Sequence, residues 1–453
     1  MRILAILPTY EQPEHLRAMA ASGHEVHVVT TIRTRDSPRG VDGVRVWPLG
    51  YWWRAWKAAQ PDVIVSQAGD RQAERLVARW RRVPRLVMSQ SDADIGEFEE
   101  ALIRLLPAHR QAAARTPVPD DPLTGQPVKV VAWIHYGVPY RRAGSETMLH
   151  TMIRSLKDAG MGVLVVSSSM PEAPAAWDVD GVPYMHLPPR SAEALIRTMR
   201  PNVMVTHHNY AARATALAKD IGVPSVLLMH SDHDFSARSL WAGPDLVVYN
   251  TDWVRASLAA RYLEVDRTRS LIVHPPVVAE EHRAPTTGDR VTLVNLSSNK
   301  GVYTWRDAAR ALPELPFLGV TGAHGLQVKQ PLLPNMRVIP QTSDMRGDVW
   351  AHTRVLLVPS VYESYGMAAV EGLASGIPVI AHSTLGLREA LGDGATFIDR
   401  SDARSWAETV RELYRDGGRR DEATAAALAR SALLADRMSA ELKQWVEAVL
   451  DLV

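Results

Sequence analysis

Short, uninterrupted apolar runs rich in Val, Ile and Leu recur along the whole chain, and a longer amphipathic stretch follows each of them. They include VHVVT, DVIVS (62–66), VKVVAWI (128–134), VLVVSS (163–168), VMVTHH (203–208), SVLLMH (225–230), VTLVNL (291–296) and VLLVPS (355–360). A strand without polar alternation has both faces out of water, as parallel strands between two helix layers do. Alternation of such strands with helices predicts doubly wound α/β domains. With 453 residues the chain has room for two or three of them.

The first third also repeats in the second. SGHEVHVVT answers to AGMGVLVVS, VDGVRVWPL to VDGVPYMHL, QPDVIVSQ to RPNVMVTHH, and VPRLVMSQSDADI to VPSVLLMHSDHDF, at offsets that drift from 137 to 140 residues. Four ordered matches predict a duplicated Rossmann-like unit. The Pro- and Asp-rich stretch TPVPDDPLTGQPVK separates the copies, and HRAPTTGDR (282–290) precedes a third unit. The expected domains are therefore 1–115, a linker over 116–128, 129–285, and 286–453, the last ending in helices from about Ser401.

Composition narrows the function classes. Hydrophobic residues make up 46% and charged residues 22%, the mix of a soluble globular protein. No apolar run reaches the roughly 18 residues of a membrane span, and the opening MRILAILPTYEQPEH reads as a first strand, not a signal peptide. The absence of cysteine excludes disulfides, thiol nucleophiles and cysteine metal sites, and fits a cytoplasmic protein. A formal charge of +1 gives no overall sign of nucleic-acid binding.

The densest chemistry lies in PSVYESYGMAAVEGLASGIPVIAHSTLGLREALGDGATFID (359–399). A buried strand turns at Pro359-Ser360 and runs into a small-residue helix from about Gly366. In an open α/β sheet, ligands bind where strand carboxyl ends meet helix N-termini. Glu363 and Glu371 offer carboxylates able to accept paired sugar or ribose hydroxyls. Gly366 lets the backbone approach a ligand closely.

This block resembles the retaining glycosyltransferases of family 4, marked by two glutamates separated by seven residues after a Pro-Ser turn. The likeness continues through GIPVIA and Gly-Leu-Arg-Glu, and covers about 128–415. It implies a GT-B fold, in which two Rossmann-like lobes face a cleft; here an additional N-terminal Rossmann-like unit precedes them. It implies that Glu363 contacts the transferred sugar and Glu371 the ribose, with the backbone of Tyr365, Gly366 and Met367 lining the donor pocket. In VNLSSNKGVYTW (294–305), Lys300 matches the lysine that holds the donor diphosphate, where an ammonium offsets charge growing on the leaving group. Asn295 stands where many relatives carry an arginine, which removes one positive charge from the expected site. Gly144, with Ser145 and Glu146, matches a glycine loop closing over the phosphates. A helix cap is the plainer reading of that segment.

His230, ending SVLLMH, matches a histidine that faces the reaction centre, and is expected to orient the sugar or the departing phosphate. His207, His208 and His233 complete a cluster whose composition alone is compatible with zinc. GT-B enzymes generally need no catalytic metal, so none is expected, nor any tightly bound cofactor. The resemblance implies a UDP-, GDP- or dTDP-sugar as donor, a hydroxyl acceptor, and a retaining, hexosyltransferase-type reaction. His207 and His208 are placed on the acceptor side, together with Trp53 and Trp56 of YWWRAWKAAQ (51–60), which share a helix face. Between 33 and 85 there are 12 Lys/Arg against 5 Asp/Glu. That basic, aromatic stretch is a domain-packing face or a platform for a nucleic-acid or protein acceptor. Asn295 and the lost second glycine also leave open a non-catalytic nucleotide-sugar binder.

Overall fold

The computed structural model describes residues 121–453 except 142, 171–172, 286, 323–325 and 329–330. Before 121 it describes Leu16 and five strands: β1 (Arg2–Leu7), β2 (Glu25–Thr30), β3 (Val44–Pro48), β4 (Val63–Gln67) and β5 (Arg85–Met88). Contacts divide the chain into two compact units, one of residues 1–140, 161–204 and 216–223, the other of residues 141–160, 205–215 and 224–453.

In the first unit β1–β5 form a parallel sheet in the order β3-β2-β1-β4-β5. Ile3, Leu4, Ala5 and Ile6 are wholly buried, as a strand covered on both faces must be. The same unit holds β6 (Lys129–Ile134), β7 (Gly162–Ser167), β8 (Ala176–Val179) and β9 (Val182–His186). β6 pairs parallel with β7 and β7 with β9, while β8 runs antiparallel to β9. The sequence match of β2 with β7 and of β3 with β9 is thus accompanied by one strand order, β3-β2-β1 against β9-β7-β6.

After β10 (Val203–His207), the second unit contains β11 (Ser225–Met229), β12 (Leu246–Tyr249) and β13 (Ser270–Ile272), paired in parallel. A six-stranded parallel sheet follows, built from β14 (Arg290–Val294), β15 (Phe317–Val320), β16 (Met336–Ile339), β17 (Thr353–Val358), β18 (Val379–Ala381) and β19 (Ala395–Phe397). Its order, β16-β15-β14-β17-β18-β19, reverses direction between β14 and β17. That reversal opens a crevice at the strand carboxyl ends, the usual place for a ligand in such sheets. Trp305, Phe317 and Trp406 fill one face of the sheet, and Trp350, Leu373 and Leu387 the other. Among the described residues no helix is long and apolar enough to cross a membrane.

Residues 224–285 share a unit with 286–453 because polar groups far apart in the chain close on one another. His274 bonds Glu389 Oε1 through Nε2 at 2.6 Å and Glu441 Oε1 through Nδ1 at 2.8 Å. Glu389 also accepts the backbone N–H groups of Asp252 (2.7 Å) and Trp253 (3.0 Å), two of the donors a helix start leaves unpaired. The helix carrying Glu441, Gly417–Leu450, reaches helix Gly144–Asp158, where Trp445 Nε1 donates to the Met152 carbonyl at 3.0 Å.

Burial alone would lower the His274 pKa, but the bonds to Glu389 and Glu441 outweigh it and lift the ring to about 9. A folded value above the unfolded one stabilises fully below about pH 6.5 and ceases to stabilise as pH rises through 9. His274→Gln is therefore expected to cost about 3 kcal/mol near pH 6 and less than about 1 kcal/mol by pH 10. Urea unfolding of both proteins across that range checks this; a pH-independent difference overturns it.

Candidate active site

Two loops at the carboxyl ends of the adjacent strands β14 and β17 carry the principal charges. After β14 the chain passes Asn295, turns through Ser298–Lys300, and enters helix α1 (Val302–Ala311) at Gly301. After β17 it passes Pro359-Ser360 and enters helix α2 (Met367–Ala374) at Gly366. Gly301 has φ +93° and lies so close to Pro359 that a Cβ there would come within 2.3 Å of the proline Cγ. Only glycine satisfies both the left-handed backbone and that approach. The Val361 N–H donates to the Asn299 carbonyl at 2.9 Å, which locks one loop on the other.

The docking brings Lys300 Nζ to 2.6 Å from Glu363 Oε1, an oxygen that also accepts the Ser360 hydroxyl at 2.9 Å. Their side chains are 31% and 15% exposed, so both reach the cavity while remaining held. Glu371, eight residues on and within α2, lies 3.6 Å from the ring of His282. Lys300, Glu363, Glu371 and His282 line one cavity of about 600 Å³. Gly366, Met367 and Tyr365 line it too; the Tyr365 ring belongs to the core beneath, so the backbone is its contribution.

His230, Gly144 and His208 line the same cavity. His230 directly follows β11, is 8% exposed, and places Nε2 3.0 Å from Nδ1 of His207. His208 stacks on His230 with centroids 4.9 Å apart. Ring nitrogens of His207, His208 and His230 fall within 4.8 Å of one another, a grouping that matches the reach of a divalent cation's ligands. Gly144 begins its helix opposite Met367, whose Sδ a Cβ there would meet at 3.3 Å. The helix has no side-chain cap at Ala143.

Two expectations, His207 and His233, are placed differently from their sequence reading. His207 is wholly buried and absent from the cavity wall, behind the wall residues His208 and His230. His233 is exposed and stacks on Tyr362 at 4.6 Å. Asn295 lines the cavity, but its Oδ1 accepts from Ser297 N (3.1 Å) and Gln327 Nε2 (3.0 Å). Its φ of +72° also explains the residue type, since asparagine enters the left-handed region more readily than arginine. Trp53 and Trp56 lie outside the described residues.

Several wall residues escaped sequence reading. Asn250 is 2% exposed and donates through Nδ2 to the His230 carbonyl (3.0 Å) and to Ser364 Oγ (3.1 Å), joining the histidine to the glutamate loop. Arg346 supplies a second cation beside Thr342 and Asp344, in the short helix Met345–Asp348 that follows β16.

Residues 329–430 match the family model for Glycosyl transferases group 1. A D-inositol 3-phosphate glycosyltransferase of a Nocardioides species is 25% identical over 302 residues, 53% of this chain and 66% of that protein. One from Mycolicibacterium smegmatis is 30% identical over 196 residues, 37% of this chain. The chain thus spans less than two thirds of the first of these proteins and 45% of the second. Sucrose-phosphate synthase from Thermosynechococcus elongatus superposes with a TM-score of 0.55 at 14% identity, covering 72% of this chain and 98% of that one. Anabaena Alr3699/HepE in complex with UDP-glucose does so with 0.55 at 15% identity, over 71% and 98%. The chain has the α/β GT-B glycosyltransferase fold.

Proposed function

We propose that this protein is a retaining glycosyltransferase of family 4 that moves a sugar from a nucleoside diphosphate sugar to a hydroxyl acceptor. The observation that carries the reading is the convergence of Lys300 and Glu363, 2.6 Å apart, with Glu371 and His230 on one cavity wall. Lys300 offsets charge on the diphosphate as the bond from the anomeric carbon to the phosphate oxygen breaks. The N–H groups at the start of α2, behind Gly366, face the same charge. Glu363 holds hydroxyls of the transferred sugar, and Glu371 those of the ribose. The acceptor oxygen bonds the anomeric carbon from the face the phosphate leaves, and its proton passes to the departing phosphate oxygen. No protein nucleophile enters that scheme, unlike the two-carboxylate route of retaining glycosidases.

Residues 129–285 and 286–453 are assigned as the acceptor-side and donor lobes, and 1–115 as a degenerate copy of the first. The shared strand order of β3-β2-β1 and β9-β7-β6 supports the duplication.

The test is a thermal-shift panel of UDP, GDP, dTDP and their sugars, followed by transfer assays. UDP-glucose is the first donor because the Anabaena protein binds it, and D-inositol 3-phosphate is among the acceptors because the curated relatives are named for it. One nucleotide is expected to raise Tm, since a ligand that prefers the native state stabilises it. The matching sugar is expected to transfer with its anomeric configuration kept. Binding without transfer or hydrolysis would leave a nucleotide-sugar binder; no binding to any of them would sink both readings.

A further inference from the structure

Asn295 stands where the resemblance places an arginine, yet its side chain is held by a network of neutral groups. It directly follows β14 and lines the cavity. Gln327, beyond the end of β15, forms an isolated bridge with Ser297. The bridge is closed by the Val328 N–H, which donates to the Leu296 carbonyl at 2.9 Å. The segment around Gln327 is thereby laid on the start of the Lys300 turn.

The hydrogen bonds fix which way both amides face. Gln327 Oε1 accepts the backbone N–H groups of Leu296 and Gly322, each at 2.9 Å, and a backbone N–H can only donate. The other arm of that amide is therefore the donor Nε2, and it lies 3.0 Å from Asn295 Oδ1. The same Oδ1 accepts the Ser297 N–H at 3.1 Å. Both lone pairs of Oδ1 are engaged, and turning the Asn295 amide over would set donor against donor at two places. Nδ2 is turned to Gly322, so close that a Cβ on that glycine would stand 2.4 Å from it. Asn295 and Gly322 both line the cavity that Lys300 lines.

We propose that Asn295 Nδ2 donates to an oxygen of the donor's diphosphate, and that Gln327 is the positioning residue that aims it. The inference rests on the glycosyltransferase reading and deepens it. The diphosphate is held by the Lys300 ammonium and by a fixed neutral amide, where the resemblance implies two cations. A donor already oriented by its own partners needs no reordering when the ligand arrives, and it adds direction where the ammonium adds charge. The ligand class is a nucleoside diphosphate; a nucleoside without phosphates gains nothing from the contact.

Calorimetry on the full-length protein with UDP, GDP and dTDP, each beside its nucleoside, reads phosphate contacts separately from those of the base. Asn295→Gly keeps the left-handed backbone, φ +72°, and removes the amide. For the nucleotide that binds best, its Kd is expected to rise about tenfold, with the nucleoside changed by less than about twofold. Gln327→Glu keeps the acceptor for Leu296 and Gly322 but sets a second acceptor against Asn295, so the amide turns over and Oδ1 replaces Nδ2. A rise of about tenfold is expected there too. The double variant separates amide reversal from the added negative charge: with the amide gone, Gln327→Glu is expected to change Kd by less than about twofold. Asn295→Arg, which restores a cation, is expected to bind no tighter than the wild type, because arginine offers no acceptor to Ser297 and Gln327. Tighter binding by that variant overturns the proposal. So does an unchanged Kd in folded Asn295→Gly, or an equal effect of Gln327→Glu in both backgrounds. A wild type that binds none of the three nucleotides overturns the transferase reading as well; one that binds, with its variants unaltered, overturns this inference alone.

Discussion

Lys300→Ala is expected to lower kcat for sugar transfer by about a thousandfold, or ~4 kcal/mol, the scale on which removing one preorganised charge from a transition state acts. Stability is expected to change by less than about 1 kcal/mol, because a single, partly exposed ion pair contributes little to folding. That split follows from the geometry. Lys300 is 31% exposed and bonds Glu363 Oε1, whose second partner, Ser360, stays in place when the ammonium is removed. The loop is held by Gly301 against Pro359 and by the Val361–Asn299 backbone bond, neither of which needs the lysine side chain. Removal therefore leaves an intact loop with Glu363 as an uncompensated charge facing the diphosphate, a net repulsion where there was attraction. Lys300→Arg is expected to recover little, since a planar fork does not replace a point charge seated 2.6 Å from one carboxylate oxygen. Steady-state kinetics and denaturant melts on the same samples check both halves. Transfer within about fivefold of wild type would remove Lys300 from the mechanism, whatever the fold.

The strands were legible because their physics is local. VKVVAWI, VLVVSS, VTLVNL and VLLVPS each became a strand, since a run buried on both faces has no polar residue to interrupt it. The loop between β17 and α2 was legible for a similar reason: Pro359, Ser360, Glu363 and Gly366 form a continuous stretch whose glycine takes φ +96°. What could not be read depends on partners far along the chain. Asn295 looks like a lost charge until Gln327, 32 residues away, is seen to hold its amide. His274 looks ordinary until Glu389 and Glu441, 115 and 167 residues on, close around it. His207 shares the sequence context of His208, and only its complete burial separates the wall residue from the one behind it. Hydrophobic periodicity specifies elements, whereas polar closure depends on how the elements meet.

Gly301→Ala should damage both stability and chemistry, unlike the lysine substitution. The backbone there has φ +93°, and an alanine Cβ would stand 2.3 Å from Pro359 Cγ and 2.8 Å from the Pro359 carbonyl oxygen. The left-handed conformation alone costs an L-residue about 1–2 kcal/mol. The contact with Pro359 adds to it, because a rigid ring and a backbone oxygen cannot swing aside as a flexible side-chain tip would. A total near 3 kcal/mol is expected, about the upper range for a single substitution. Relief of the clash requires the Lys300 turn to part from the Glu363 turn by a sizeable fraction of an ångström. Displacement on the order of 1 Å typically costs a hundredfold in rate, so kcat/KM for transfer should fall by about that factor. Gly160 provides the control: its φ is +89°, but a Cβ there meets nothing within 4 Å. Gly160→Ala is thus expected to show the backbone cost of about 1 kcal/mol with transfer unaltered. If the two alanine variants lose equal stability and both keep full activity, the docking of the lysine loop on Pro359 does not organise the site.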